Sequence, residues 1–194
     1  MELTGEQAQR WILCFQEKIE KNKAYLSDLD QAIGDGDHGS NMYRGVQAVK
    51  EKLNELEDPT TEEVLKTTAM ALISKVGGAS GPLYGSAFMQ MAKTAKETTE
   101  LPELIQAGLE GIKQRGKAEL KDKTMVDAWA PVAEALTNGT FSNDTIDQAV
   151  EDTKPLQAKK GRASYVGERS IGALDPGAVS SGYLFTALVE EVLK

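Results

Sequence analysis

Residues 30–41 read DQAIGDGDHGSN and place three carboxylates beside the single histidine of the chain. Asp, Gly, Ser and Asn favour turns and are poor residues for the middle of a helix, so this stretch predicts a loop that ends at a helix start near Gly39. Carboxylates held this close together repel one another unless a cation lies between them. Hard oxygen ligands without cysteine indicate magnesium or calcium rather than zinc. We therefore predict a metal and phosphate site at Asp30, Asp35 and Asp37.

An EF-hand is the first calcium site to consider, and the spacing excludes it. A loop starting at Asp35 has Ser40 where the sharp turn needs glycine and Val46 where a bidentate glutamate is needed. A loop starting at Asp30 has Ala32 at the third position. A solvated acidic turn that caps the following helix remains an alternative for this stretch considered alone.

Composition limits the classes of protein to consider. The chain has 194 residues, which predicts a single domain over residues 1–194. Its formal net charge of -8 argues against nucleic-acid binding, because neutralising phosphates requires a basic face. The sequence contains no apolar run of about 18 residues, so no membrane span is predicted, and the N-terminus lacks the pattern of a signal peptide. A single cysteine, Cys14, cannot form an internal disulfide, so a cytoplasmic location is expected.

Apolar residues recur at helical spacing along almost the whole chain, and no period-two run predicts a strand. Eight helices are expected. Capping boxes predict helix starts at Thr4 and Thr60, and the first helix is expected to run toward Leu26. The last helix is predicted to start at Asp175, a side-chain N-cap that is followed by proline. The pattern as a whole predicts an all-α protein.

Two further glycine-rich segments suit an anionic ligand. Residues 77–82, GGASGP, join two helices, and a phosphate would fit at the N-terminus of the second. The segment matches neither the Walker P-loop nor the G-x-G-x-x-G motif. Residues 159–172 carry four cations in an acidic chain, and a long loop of this kind is typical of a lid or binding loop. Alternatively, the first is a ligand-free turn and the second a solvated surface loop.

Taken together and in order, these motifs resemble the DhaL family, the nucleotide-binding subunit of bacterial dihydroxyacetone kinase. The resemblance covers essentially the whole chain. It implies an eight-helix antiparallel up-and-down barrel with the nucleotide held at one rim. The matching segments are GDGDHG at residues 34–39 with Asn41, GGASGP at 77–82, RGKA at 115–118, DKTM at 122–125, KGRASYVGERSIG at 160–172 and DPG at 175–177.

The resemblance also implies roles for individual residues. Asp30, Asp35 and Asp37 match three aspartates that hold two magnesium ions on the nucleotide phosphates. No catalytic residue beyond these ligands is expected on this chain, because positioning and charge neutralisation do most of the work in phosphoryl transfer. The implied nucleotide contacts are His38, Gly39, Ser40 and Asn41 in the first turn, Ala79 and Ser80 in the second, then Gly116, Thr124, Met125, Arg162, Asp175, Pro176 and Gly177.

The family implies a reaction driven by phosphoenolpyruvate through the phosphotransferase system. In free-standing chains of this size, ADP stays bound as a cofactor and is phosphorylated in place by a phosphohistidine-bearing DhaM protein. The phosphoryl group then passes to dihydroxyacetone held on DhaK. The length of 194 residues without a second domain favours this arrangement. His38 would donate a hydrogen bond to phosphate, with a phosphohistidine relay as the alternative.

Two other functions remain open. The first is the nucleotide domain of an ATP-dependent triose kinase or fatty acid kinase, which shares the aspartate motif and would exchange ATP for ADP without DhaM. The second is a nucleotide-sensing regulator that binds a transcription factor. Intact aspartates and a full phosphate-binding set favour retained catalysis over regulation alone.

Overall fold

The computed structural model describes residues 1–193 as an all-α protein, which confirms the predicted fold class. The described part of the chain contains eight α-helices and one 3-10 helix. In that part, no helix has the length and apolar character needed to cross a membrane. The helices are α1 Gly5–Ile33, α2 His38–Asn54, α3 Thr61–Lys75, α4 Ser80–Thr94, α5 Leu101–Gly116, α6 Val126–Asn138, α7 Asn143–Glu151, the 3-10 helix Arg162–Ser170 and α8 Pro176–Glu191.

The helices form a closed ring of antiparallel neighbours. Each α-helix packs against the next one along the chain, and α1 packs against α8 to close the ring. Because connected antiparallel helices alternate in direction, α1, α3 and α5 end at the rim where α2, α4, α6 and α8 begin. We call this end the upper rim; it comprises residues 30–38, 76–83, 116–126 and 175–177.

Large side chains fill the interior of the ring. Trp11 and Phe15 are fully buried, which confirms that the predicted apolar stripe of α1 belongs to the core. The Trp11 ring lies 6.4 Å from that of Phe88, and Trp129 meets Phe185 edge-on at 5.0 Å between centroids. Aromatic pairs in these geometries add about 0.5–1.5 kcal/mol each to the stabilisation that burial gives. The packed interior supplies a rigid base for the upper rim.

The local signals for helix starts are confirmed. Thr4 and Thr60 both form complete capping boxes, with Gln7 and Glu63 as their partners. At α8, one carboxylate oxygen of Asp175 accepts the Ala178 amide at 2.8 Å. Each of these caps satisfies an amide that the helix itself leaves without a partner, so the start of the helix is determined within four residues of sequence.

The prediction that residues 30–41 form a loop from Asp30 onward is wrong. Helix α1 continues past Leu26 to Ile33, and the loop begins only at Gly34, whose amide donates to the Asp30 carbonyl at 2.5 Å. The apolar stripe continues through the buried Leu26 and Ile33, and this burial outweighs the low helix propensity of aspartate. Asp30 therefore lies on the last turn of a rigid helix.

Residues 159–172 are also more regular than predicted. Most of this segment forms the 3-10 helix Arg162–Ser170, which Gly167 interrupts with a positive φ of 58°. Short helices of this type are common as connectors, and a run of polar residues with scattered glycines gives no period that distinguishes them from a loop. The segment covers one side of the upper rim.

Candidate functional site

A cavity of about 590 Å³ lies at the upper rim, a size that suits a small organic ligand. It is lined by helix ends from around the ring and by the start of the 3-10 helix. Eleven of the residues that the sequence singled out line it: Asp30, His38, Ala79, Ser80, Gly116, Thr124, Met125, Arg162, Asp175, Pro176 and Gly177.

The other five predicted site residues lie beside the cavity rather than in its wall. Asp35 forms an ion pair with Arg162 at 2.5 Å. The Ser40 hydroxyl donates to the Asp37 carbonyl at 2.9 Å, and the side chain of Asn41 accepts a hydrogen bond from Arg44. A Cβ on Gly39 would clash with the carbonyl oxygen of Lys23, so glycine allows the first turn of α2 to lie directly against α1.

The three predicted carboxylates converge. Oxygen atoms of Asp30, Asp35 and Asp37 lie within 4.8 Å of one another. One Asp30 oxygen accepts the amides of Asp37 at 2.9 Å and His38 at 3.1 Å, so the end of α1 shapes the loop that carries the other two. Burial raises the pKa of Asp30, and the charges of Asp35 and Asp37 add to that shift, whereas the two amides oppose it.

This carboxylate trio fits a hard divalent cation. Its ligands are all oxygens, they approach from one loop and one helix end, and their mutual repulsion would be relieved by a positive charge between them. Magnesium is commonly held by a few carboxylates together with waters and the phosphates of a ligand. The trio leaves the cavity side open for such a ligand.

Two helix N-termini at the upper rim have amides available for an anion. Within residues 1–193, α2 and α4 begin without a side-chain hydrogen bond at the N-cap, whereas α1 and α3 begin at the opposite rim with capping boxes. Uncapped first-turn amides, together with the positive end of the helix dipole, bind phosphate and carboxylate oxygens well. An anion beside the carboxylate trio would therefore be held by both a cation and the backbone.

His38 is buried in the wall between these two helices. Its Nδ1 lies 3.0 Å from the Ser80 hydroxyl, and its Nε2 lies 3.0 Å from the Ser180 hydroxyl. Both ring nitrogens of His38 therefore have a hydroxyl partner within the protein. Burial lowers the pKa of His38 to about 4, so the ring is neutral near pH 7.

The hydrogen bonds of His38 continue into the core. The Tyr84 hydroxyl lies 2.8 Å from that of Ser180 and 3.0 Å from that of Ser181, and the Trp129 indole donates to Ser181 at 3.0 Å. This chain of polar groups was not predicted, because Tyr84 and Trp129 match the apolar stripes of their helices. Satisfied buried networks of this kind rigidify their surroundings, so the position of the His38 ring is well determined.

An apolar wall completes the cavity. It contains the predicted Met125 and four residues that the sequence did not indicate as site residues: Ile33, Leu83, Ile112 and Ala118. Periodicity places Ile112 in a helix, whereas Ile33 was expected in the loop, and neither prediction tells that the last turn of α1 or α5 meets a cavity. The wall suits a flat ring of low polarity, while the carboxylate trio and helix starts suit a charged group.

Asp127 orders the loop that leads to Met125. Its two carboxylate oxygens accept the amides of Lys121 at 2.5 Å and Thr124 at 2.8 Å. Lys121 and Lys123 adopt positive φ values of 71° and 60°, which are uncommon for residues other than glycine. Thr124 and Asp127 thus order the start of α6 together, and the carboxylate is the main acceptor.

Asp175 makes the stability of the metal-free and ligand-free protein depend on pH. Burial raises its pKa to about 7, so between about pH 4 and 7 the folded chain binds a proton that the unfolded chain has released. The contribution of Asp175 to the free energy of unfolding is therefore fully present below about pH 4 and is lost as the pH rises through about 7. Relative to Asp175→Asn, we expect the wild type to lose up to about 1.4 kcal/mol per pH unit across this window.

Urea unfolding at intervals from pH 4.5 to 7.5, in the presence of a chelator, measures this difference. Asparagine is a suitable replacement because it retains the side-chain oxygen that caps α8. Shifted groups that do not interact with Asp175, such as His38, contribute equally to both proteins and cancel in the comparison. Parallel pH profiles for the two proteins would contradict the assignment.

The rim therefore combines carboxylates that suit a divalent cation, helix starts that suit an anion and an apolar wall. The family comparison agrees with this class of site: residues 32–190 match the DAK2 domain. The chain belongs to the DAK2 domain family.

Relatives of similar length carry names in common. A Lactococcus lactis protein named PTS-dependent dihydroxyacetone kinase, ADP-binding subunit DhaL, is 53% identical over 190 residues, covering 98% of this chain and 99% of the relative. A Listeria innocua protein named PEP-dependent dihydroxyacetone kinase 1, ADP-binding subunit DhaL, is 52% identical over 187 residues, with 94% of each chain covered. The corresponding DhaL subunit of Escherichia coli is 42% identical over 204 residues, with 97% of each chain covered.

Among solved structures, the chain resembles the dihydroxyacetone kinase of C. freundii in its native form. The TM-score is 0.79 at 22% identity, covering 98% of this chain and 35% of that one. The same kinase in complex with AMP-PNP and Mg2+ gives a TM-score of 0.78 at 21% identity, covering 98% and 34%. This chain thus spans about a third of the kinase, and the likeness confirms the all-α fold.

Proposed function

We propose that residues 1–194 form a single DhaL-type domain that serves as the ADP-binding subunit of a phosphoenolpyruvate-dependent dihydroxyacetone kinase. The names of relatives that match along nearly their whole length support this function. The proposed reaction is a phosphotransfer in which bound ADP accepts a phosphoryl group from a DhaM-type phosphohistidine protein and delivers it to dihydroxyacetone on a DhaK-type subunit. Such a protein works in the cytoplasm.

The carboxylates of Asp30, Asp35 and Asp37 would hold two magnesium ions, which neutralise phosphate charge when bound. Asp30 contributes from a rigid helix end and also receives the amides of the loop, so it orders the other two ligands. Pairing with Arg162 keeps Asp35 charge-balanced without metal. On ligand binding, the Arg162 guanidinium would leave Asp35 and pair with a phosphate oxygen. Asp35 and the bound phosphate would both lie at the cavity opening, within reach of the guanidinium.

Backbone amides would hold the phosphates. Gly39 and Ser40 belong to the first turn of α2, and Ala79 and Ser80 lie at the start of α4. The Asn41 amide donates to the Asp37 carbonyl at 2.9 Å, so Asn41 would contribute through its side chain. Within residues 1–193, the N-cap residues Asp37 and Ala79 make no side-chain hydrogen bond to these helices, and of the amides within α2 the Asp30 carboxylate accepts only that of His38. His38 would fix the spacing between the two starts through Ser80 rather than donate an N–H to phosphate, because both of its ring nitrogens already have serine hydroxyls as partners.

The nucleoside would lie along the apolar wall. Met125 and Thr124 line one side, and Gly116 keeps the approach open, since a Cβ there would come within 2.9 Å of Leu83. Gly177 lines the cavity beside the N-cap Asp175, where backbone can approach a ligand closely. Asp175, Pro176 and Gly177 would thus form a nucleotide contact through the start of α8.

A single observation carries the proposal: the carboxylate trio and two uncapped helix starts meet at one cavity that also has an apolar wall. We expect the purified protein, once denatured, to release about one ADP per chain, measured by chromatography or mass spectrometry. Label from a phosphorylated DhaM-type donor should reach dihydroxyacetone only when nucleotide is present.

The same assay distinguishes the alternatives. Rapid exchange of ATP for ADP, with activity that needs no DhaM-type protein, would favour an ATP-dependent triose or fatty acid kinase domain. Triokinase/FMN cyclase of Rattus norvegicus is 36% identical over 181 residues, whereas the ADP-binding subunits of Listeria innocua and Lactococcus lactis are 52% and 53% identical, so the subunits resemble this chain more closely. Binding to a transcription regulator without phosphoryl transfer would favour a sensor.

Transfer of label to His38 in the absence of nucleotide would support a phosphohistidine relay through this residue. The neutral, buried ring argues against it, because both ring nitrogens already have hydroxyl partners and only 7% of the residue is exposed. An incoming phosphohistidine would have to displace Ser80 or Ser180 to reach either nitrogen.

A further inference from the structure

Lys123 is among the largest fully buried side chains in the described part of the protein, with 1% of its surface exposed. Its ammonium is surrounded by main-chain oxygens. It donates to the carbonyls of Ala173 at 2.6 Å, Ser170 at 2.7 Å and Leu156 at 3.0 Å, and it lies 3.4 Å from that of Lys154.

This environment is unusual for a lysine. Within residues 1–193, no carboxylate forms an ion pair with Lys123, and the carboxylates of Asp175 and Asp127 act on it only from a distance. Burying an ammonium is costly unless each of its donors has an acceptor. Lysine has three N–H donors, and the three shortest contacts use them all. The four carbonyls thus form a cage of the kind that holds a monovalent cation in other proteins.

The cage joins two walls of the cavity. Its carbonyls come from both ends of residues 154–173, which we call the cap, and the cap contributes Lys160, Gly161, Arg162 and Ala163 to the cavity lining. Lys123 lines the cavity together with Thr124 and Met125, which follow it in the chain. One ammonium therefore links the start of the cap, the end of the cap and the loop before α6.

The other charged contacts of the cap are weaker. Arg162 pairs with Asp35 and Lys159 with Asp122, and the two cationic side chains are 71% and 60% exposed. Exposed ion pairs contribute little to stability and are screened by salt. They would also be broken in part when Asp35 binds a cation, whereas the Lys123 ammonium contacts main-chain oxygens rather than carboxylates.

We propose that Lys123 is a positioning residue whose ammonium serves as a built-in monovalent cation, holding the cap over the cavity and slowing the release of nucleotide. The part that concerns nucleotide rests on the function proposed above. The part that concerns the cap does not, because the cage is formed by protein atoms alone.

Lys123→Ala tests the cap directly. In the full-length protein without nucleotide, we expect hydrogen exchange of the cap amides to rise about tenfold or more, while exchange in α1 and α4 stays unchanged. Potassium or methylammonium at high concentration should restore protection by entering the vacated cage, whereas tetramethylammonium should not. Lys154→Ala is the matched control, because it removes an exposed lysine of the cap and keeps the caged carbonyl.

Lys123→Met provides a second variant that fills the space without charge. It should loosen the cap like the alanine variant but show no rescue by potassium. For the nucleotide step, both variants should release ADP about tenfold faster in a stopped-flow or filtration assay, and potassium should slow release only from Lys123→Ala. An intact cap in both variants, equal loosening of all helices, or absence of cation rescue in Lys123→Ala would overturn the proposal.

The proposed function and the proposed role of Lys123 can be refuted independently of each other. If wild-type protein binds no ADP, the proposed function is wrong, and the exchange data without nucleotide still decide whether Lys123 holds the cap. If wild-type protein retains ADP and the variants release it at the wild-type rate, Lys123 has no positioning role while the proposed function stands.

Discussion

Asparagine at Asp30, Asp35 or Asp37 is expected to reduce phosphoryl transfer to dihydroxyacetone by about a thousandfold or more, because each change removes a charge that holds magnesium. Asparagine has the same shape and retains one acceptor oxygen, so Asp30→Asn can still receive the amides of Asp37 and His38. Helicity and the melting of the metal-free protein should therefore stay near wild type. The measurement is the rate of label transfer from the DhaM-type donor.

Asp28→Asn is the matched control, because Asp28 lies on the same helix, is exposed, and is not part of the carboxylate trio. Its transfer rate should equal that of the wild type. Variants of the trio that transfer phosphoryl normally and lose only binding to a partner protein would favour the regulator instead. Wild-type transfer rates in all three would also remove the metal site from the mechanism.

Chelation of the divalent metal is expected to release ADP and lower the melting temperature by roughly 8–16 °C. A ligand that binds only the folded state at about 1,000 times its Kd stabilises that state by about 4 kcal/mol. One kcal/mol corresponds to about 2–4 °C for a chain of this size. Thermal melts with and without a chelator, together with nucleotide in the filtrate, measure both effects.

Returning magnesium and ADP together should restore the melting temperature, whereas ADP alone should not. The double variant Asp35→Asn, Asp37→Asn should melt at the lower temperature with or without the chelator, since it has no metal bridge to lose. If the wild type keeps its nucleotide and its melting temperature in the chelator, ADP is held by the helix starts and not through a metal.

Local signals predicted much of the architecture. The helical period of the apolar residues and the capping residues at Thr4, Thr60 and Asp175 were readable because each of these depends on atoms within about one turn of chain. The position of Asp30 was mispredicted for a related reason: local propensity favoured a loop, while burial of Ile33 extended α1 by another two turns.

The sequence predicted the residues that would bind the ligand better than the residues that hold them in place. Eleven predicted residues line the cavity, and the three aspartates converge. The three aspartates belong to one continuous stretch of sequence, and its residue types alone indicate a metal site. Leu83, Ile112 and Lys123 escaped prediction because each looks like an ordinary apolar or charged residue of a helix or loop.

By itself, then, the amino-acid sequence determined the all-α class, the helix starts and the chemistry of the metal loop, since these follow from neighbouring residues. Only the tertiary structure decided how the site is supported. His38 meets Ser180 across 142 residues of chain, and Lys123 meets the Ser170 carbonyl across 47. Contacts over such distances depend on the packing of the whole ring, because that packing decides which polar atoms lose water and must find partners within the protein.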